Sequence, residues 1–444
     1  MSKILIYIRQ AFRMMREDKL FTAIYIGGTA VAIASAMVVA IYLNIRMGNI
    51  APEENRDRIV YVRGQFTNKN THELLAAGFS SQAVEEVFGR LQCAEMFSAL
   101  IDDNLVVDFK VCTEVGKQEV PVSARFTDPN FFRLYNFRFI EGRAYTDEHM
   151  QHKTKCIVMS DVLAKKMFGA SQGVVGKSLL INYQPYQVIG VVKDVTPLLP
   201  ETYADIYLPY MLEDARANYR ANEQLSYGGE LAVRVLLKKG CTREMLIDEL
   251  DVYREKYLSE LKSKGMEEYR WQIFAEPHWT RVQVFFSASD NEDVDFLLNF
   301  AMPVLLMLLF LLLPAINLSG MVSNRMESRL AEMGVRKAFG AKRHVLLHQV
   351  IQENLVFTLC GGVLGYVLSW LFVAAIRNNN LFLALFGQGS APLGDVSLQF
   401  DMFFTPAMFL VAFTCCAVLN LMAALIPAWH SLKRPIVESL NQKR

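Results

Sequence analysis

The chain has 444 residues, 52% of them hydrophobic, with 46 Lys and Arg against 45 Asp and Glu. A net charge of +1 provides no basic surface of the kind that binds nucleic acid. The apolar residues are concentrated in four uncharged stretches, at 20–45, 296–322, 355–376 and 402–429. Each is long enough for the ~20 residues that cross a ~30 Å hydrocarbon core. The sequence therefore predicts four transmembrane helices and a large α+β extracytoplasmic domain between the first two.

Residues 1–19 place Ile4, Ile8, Phe12 and Met15 at helical spacing, with Lys3, Arg9, Arg13 and Arg16 on other faces. This pattern predicts an amphipathic cytoplasmic helix lying in the membrane interface. The first span, 20–46, contains Ala34-Ser35-Ala36, which has the form of a signal-peptide cleavage site. The apolar run continues past it to roughly 26 residues, longer than an h-region of about 7–15, so an uncleaved anchor is expected. Gly28, Ala32 and Ala36 recur every four residues here, as Gly361 and Gly365 do in the third span. Such rows let helices approach closely, within one chain or across a dimer.

Residues 47–295 form the exported region. Near its start, Ile59–Arg63 reads as a strand, Val84, Val87, Phe88 and Leu91 as a helix stripe, and Leu105–Val111 as the returning strand. Near its end, Leu231–Leu237 alternates, Thr242 is a candidate N-cap, and Leu246, Leu250, Tyr253 and Tyr257 form a second stripe. Tyr269, Trp271 and Ile273 return as a strand. The two ends, 47–125 and 228–295, thus each read β-α-β and are expected to meet as one layer, with 126–227 inserted.

The insert contains Gly176-Lys177-Ser178, the ending of a phosphate-binding loop. Its first glycine should fall at 171, which is Ser171, and the next segment is Ser178–Ile181, a turn, and Tyr186–Val192, not a helix. A hairpin is expected here, and ATP, if used, is bound by another chain. No nucleophile–base set is apparent, and His149 and His152 lack a zinc-site pattern, so no catalytic, cofactor or metal residues are assigned. The seven cysteines are irregularly spaced and define no disulfide framework.

The spans continue at 296–322, 350–376 and 403–430, joined by a loop at 323–349 and a short one at 377–402, with a tail at 431–444. None is expected to carry an ionisable residue in its interior, which argues against a gradient-coupled pump. Lys and Arg crowd the N-terminus, the 323–349 loop and the tail. Both termini and that loop are therefore assigned to the cytoplasm. Within the loop, Ala331, Val335, Ala338 and Phe339 form an apolar stripe, Arg329, Glu332 and Arg336 a charged one, and Gly340 stops the helix. Docking into a partner groove and lying on the lipid surface both fit this pattern.

The run Glu332-Met333-Gly334-Val335-Arg336-Lys337-Ala338-Phe339-Gly340-Ala341 resembles the Glu-x-Gly-[Ile/Val]-Arg-[Lys/Arg]-Ala-[Leu/Phe]-Gly-Ala signature of MacB/FtsX-type ABC transporter permeases. Residues 122–143 and 157–194 resemble that family's periplasmic core domain. The resemblance implies an inner-membrane, non-enzymatic permease that works as a homodimer or with a related permease. A separate ABC ATPase subunit would bind the ATP, with Glu332, Gly334, Arg336, Lys337, Ala338 and Gly340 at the contact. It also implies porter-like ends and a sabre-like insert, moved by mechanotransmission. The cargo would be a periplasmic peptide, lipoprotein or other amphiphile, with a periplasmic adaptor or outer-membrane partner beyond. An FtsX-like regulator of a cell-wall hydrolase is the alternative; such proteins have smaller exported domains.

Overall fold

The computed structural model describes residues 13–101, 107–113, 119–213, 225–278, 343–376 and 406–433, save positions 14 and 198, with scattered residues between 301 and 341. The chain forms two compact units: Met1–Asn44 with Asp295–Arg377 and Gln399–Arg444, and Ile45–Val294 with Asn378–Leu398.

In the first unit, three helices among the described residues are long and apolar enough to span a membrane: Lys19–Ile41, His344–Phe372 and Phe409–His430. They lie within α1 (Lys19–Met47), and in helices at Arg343–Ile376 and Pro406–Lys433. The expected span at 296–322 and the amphipathic segment at 1–19 fall largely outside the described residues. Val363, Leu371, Val418 and Met422 are exposed on the helices, as lipid-facing residues are. Phe21, Tyr25, Val350, Phe357 and Ala424 are buried between them.

Among the described residues, the second unit is built on fourteen strands. In chain order its first half runs β1 (Ile59–Asn68), short β2 (Leu74–Ala76) and β3 (Gly78–Phe79), α2 (Ser81–Val87), β4 (Ala94–Ile101), β5 (Val107–Cys112) and β6 (Val120–Thr127). Then come α3 (Asn130–Leu134), β7 (Phe139–Gly142), α4 (Asp147–Gln151), β8 (Cys156–Ser160), α5 (Asp161–Phe168), β9 (Ser178–Ile181), β10 (Gln184–Val192) and β11 (Ile206–Pro209). The last part is β12 (Gly228–Gly229), β13 (Leu231–Leu237), α6 (Arg243–Ser263) and β14 (Tyr269–Pro277). The two long helices of the first unit are α7 (Arg343–Ile376) and α8 (Pro406–Lys433).

Strands β4, β13, β1 and β14 make an open antiparallel layer. Helix α6 covers it, started by Thr242, whose hydroxyl accepts from Met245 N–H. Trp271 anchors the layer, stacked on Phe66 at 5.1 Å and met edge-on by Tyr257 at 5.3 Å. The strand that returns beside β13 is β4, ahead of the expected 105–111 segment. Strand β5 leaves that layer and pairs with β6 and β9 instead.

The remaining strands close on themselves. β6 pairs with β11, β11 with β8, β8 with β10, β10 with β9, β9 with β5, and β5 with β6 again, a six-stranded ring. The ring recruits 107–127, upstream of the expected insert start at 126. Closure removes the free edges that an open sheet would leave. Phe131, Phe132, Phe137, Tyr145 and Tyr207 pack as one aromatic cluster in this part of the unit.

Candidate functional site

Of the six residues assigned to ATPase contact, Glu332, Gly334, Arg336, Lys337 and Gly340 lie outside the described residues. Ala338 is described; it is helical and exposed. One α-turn is visible around it, in which Phe339 N–H donates to the Val335 carbonyl at 3.1 Å. Val335 is 44% and Phe339 88% exposed. Neighbouring Ala341 packs beside the buried cluster that includes Leu346 and Val350 of α7. Val335, Ala338 and Phe339 are thus three exposed apolar residues within one helical turn. An apolar helical face of this kind suits a groove or a lipid surface.

The small-residue rows separate in the structure. Gly361 and Gly365 of α7 lie against α1: a Cβ on Gly361 would stand 2.7 Å from Thr29 Cβ, and one on Gly365 2.7 Å from the Ala30 carbonyl oxygen. The approach lets polar groups pair between helices, with Tyr25 Oη and Thr358 Oγ1 at 3.4 Å and Asn420 Nδ2 donating to Thr29 Oγ1 at 3.3 Å. Ala32 and Ala36 are buried with Leu311, Ala412 and Cys416. Gly28 stands apart, with nothing within 4 Å of where its Cβ would be.

The Gly-Lys-Ser stretch is a hairpin whose two turn residues, Asn182 and Tyr183, both have positive φ, as a type I′ turn requires. Its amides are already engaged: Gly176 N–H donates to Val188 O at 2.8 Å and Lys177 N–H to Val174 O at 3.1 Å. The adjoining loop does bind an anion, but the anion is the chain's own. Val174 N–H donates to Glu141 Oε2 at 3.0 Å. That bond, with further bonds from the Gly173 and Val175 amides, holds the carboxyl below its ordinary range. Lys177 Nζ sits 5.2 Å over the Phe168 ring. The backbone nest that resembles a phosphate loop is filled by Glu141.

His149 serves a structural end as well, closing a capping box with Thr146 at the start of α4. Among the described residues no group of three His, Cys, Asp or Glu is placed to hold a metal ion. All seven cysteines are thiols.

The expectation that no span carries an ionisable residue needs correction at Glu353. Helix α7 begins at Arg343, twelve residues before the uncharged stretch, and takes Glu353 with it at 5% exposure. Gln349 Nε2 donates to its Oε1 at 2.9 Å. The sequence reading also missed six charged residues buried among the described residues of the exported unit, Glu53, Arg56, Arg125, Asp128, Asp205 and Arg234, and the half-buried Glu201 that pairs with Arg234. No periodicity marks Glu53 or Arg234, whose partners Thr202 and Glu201 lie 149 and 33 positions away.

Residues 22–253 match the family model described as the MacB-like periplasmic core domain, and residues 295–436 the model of the FtsX-like permease C-terminal region. The macrolide export ATP-binding/permease protein MacB of Escherichia coli strain K12 is 22% identical over 331 residues, 73% of this chain and 44% of that protein. The protein of the same description from Shigella flexneri matches to the same extent. The chain therefore spans less than half the length of these relatives. Among solved structures, the periplasmic region of MacB from Actinobacillus actinomycetemcomitans is 15% identical over 47% of this chain and 87% of its own, with a TM-score of 0.30. The extracellular domain of the noncanonic ABC-type transporter YknZ from Gram-positive bacteria is 16% identical over 48% and 99%, with a TM-score of 0.32. With family matches covering both the exported unit and the C-terminal helices, this chain belongs to the MacB/FtsX-type ABC transporter permeases, membrane proteins with a large periplasmic domain.

Proposed function

We propose that this chain is a non-catalytic permease subunit that converts ATP hydrolysis by a separate nucleotide-binding subunit into movement of its periplasmic domain. It does so as a dimer of four-span subunits with cytoplasmic termini. The movement extrudes a periplasmic peptide, lipoprotein or other amphiphile without passing it through the spans, with a periplasmic adaptor or outer-membrane partner beyond. The exposed Val335, Ala338 and Phe339 turn carries this reading, since it offers an apolar docking face beside the basic residues of the signature. Further support comes from the hairpin nest: the phosphate-like loop of this sequence is occupied by Glu141, which agrees with a nucleotide site on a partner subunit.

The test replaces Gly334 by Trp and Arg336 by Glu in the full chain, co-purified with the ABC ATPase subunit that the wild-type chain retains. Loss of a charge-assisted contact at an interface costs about 2–5 kcal/mol, roughly a 30- to 4,000-fold weaker complex. Both variants should insert normally and fail to hold the ATPase. Normal assembly by both would leave the turn as a lipid-surface element and refute the docking role.

A further inference from the structure

Glu53, Arg56 and Arg234 are almost wholly buried, and the Glu201 side chain is 12% exposed. Two of these four charges reach one short segment from elsewhere in the chain, and a third, Glu201, belongs to it. Between β10 and β11 the chain turns, with Leu199 N–H donating to Thr196 O at 3.0 Å and Thr202 and Tyr203 N–H to Leu199 O at 3.1 and 2.9 Å. Three consecutive residues of this turn are each gripped from a different place. The Pro200 carbonyl accepts from Arg125 Nη2 of β6 at 2.6 Å. Glu201 Oε2 accepts from Arg234 Nε and Nη2 of β13 at 3.2 and 3.0 Å. Thr202 Oγ1 donates to Glu53 Oε1 at 2.6 Å.

Glu53 passes the connection on. Its Oε2 accepts from Arg56 Nε at 2.7 Å, and Arg56 Nη1 donates to the carbonyls of Ile45 at 2.7 Å and Gly48 at 2.8 Å. Ile45 lies in the last turn of α1, and that turn belongs to the same compact unit as the rest of this set. A guanidinium holds its donors in one planar fork, so it fixes the helix end and the carboxylate in a single geometry. A buried ion pair gains little net stability over well-packed apolar residues, because desolvation offsets its attraction. Stability alone therefore gives no reason to bury four charges here; a defined geometry does.

The geometry points to Ile45–Arg56–Glu53–Thr202 as a rigid strut that makes the outer end of α1 and the 196–205 turn move as one body. This rests on the mechanical reading above and adds its route. Displacement of the outer end of α1, from Ile45 onward, reaches the turn directly and passes into β11, a strand of the ring, while Arg234 ties the same turn to β13 of the open layer. Asp205 secures the exit of the turn, accepting Ser123 N–H on Oδ2 at 2.8 Å while its own N–H donates to Ser123 O at 2.9 Å. Arg56 and Glu53 are positioning residues in this scheme and touch no cargo.

Hydrogen exchange on the full chain in lipid nanodiscs tests the strut in two arms. Without the ATPase, Arg56→Met and the milder Glu53→Gln should speed exchange about tenfold at both 45–48 and 199–205, leaving β8 and β13 within about twofold. Arg56→Lys, which keeps the charge but not the fork, should fall between. Faster exchange at 45–48 alone means the two segments are not joined and overturns the proposal. In the second arm the ATPase is present. ATP should alter exchange at 199–205 in the wild type, and in Arg56→Met the change should stop at 45–48; an ATP response at 199–205 that survives Arg56→Met also overturns the strut. If ATP changes nothing in the wild type, the mechanical reading fails, and the first arm still decides the strut by itself.

Discussion

Replacing Phe339 by Ala separates a docking face from a structural one. The ring is 88% exposed in the isolated chain, so the chain's own fold gains almost nothing from it. Surface changes of this kind stay within about 0.5 kcal/mol, and the unfolding midpoint should not move measurably. If a partner groove covers the ring, its burial contributes about 1.5–3 kcal/mol to the complex. At about 1.4 kcal/mol per factor of ten, the dissociation constant should rise about 10- to 140-fold. Val335, half as exposed and smaller, should cost less, and Phe339→Leu should restore most of the loss. The assay is titration of purified ATPase subunit onto permease-loaded nanodiscs, with thermal unfolding of the same discs as control. An affinity within twofold of wild type, at an unchanged midpoint, would refute the docking face and return this turn to the lipid surface.

Three further outcomes are expected. Lys177→Ala should leave ATP-dependent function within about a factor of two, since a true P-loop lysine contacts phosphates directly; ATP binding to the exported domain that Lys177→Ala abolishes would contradict the filled nest. Burial pushes the Asp128 carboxyl from its ordinary 3.8 to about 7, against hydrogen bonds from Ser98, Ala99 and Phe131. The folded state keeps that proton where the unfolded chain has lost it. Its contribution is thus full below about pH 4 and lost as the pH rises to about 7, on the order of 4 kcal/mol in all. The stability difference between wild type and Asp128→Asn should follow that slope, and a flat difference from pH 4 to 8 would show the carboxyl to be ionised throughout. In a cysteine-free background, Asn70→Cys should react with an impermeant thiol reagent added outside, and Ser328→Cys should be silent in intact cells; the opposite pattern overturns the topology.

Local pattern made some of this architecture legible. The stripe through Leu246, Leu250 and Tyr257 is the buried face of α6, and Thr242 caps it. The hairpin around Asn182 and Tyr183 followed from two β-type runs separated by a turn. The returning strand was misplaced because β4, AEMFSALI, interrupts its apolar residues with Glu95 and Ser98, whereas 105–111 alternates more cleanly. Ser98 is polar yet buried because it donates to Asp128, a residue 30 positions away. Closure of the ring depends on β6 meeting β11, a pairing between residues about eighty apart that no window of sequence contains. The same distance hides the strut: Glu53 and Thr202 are separated by 149 positions, and a charged residue reads as surface until its partner is known. Glu353 lies inside the expected span at 350–376 but ahead of its uncharged stretch from 355, and α7, which starts at Arg343, carries it well into the helix.

On the proposed mechanism, ATP bound by another subunit moves the periplasmic domain of this chain. Its most direct test is the distance between spin labels at Asn70→Cys in the two copies of a cysteine-free, ATPase-loaded complex in nanodiscs. Double electron–electron resonance should give one distribution without nucleotide and a clearly displaced one with ATP trapped in a hydrolysis-deficient ATPase, and Arg336→Glu should abolish the displacement. Identical distributions in the two nucleotide states would contradict the claim.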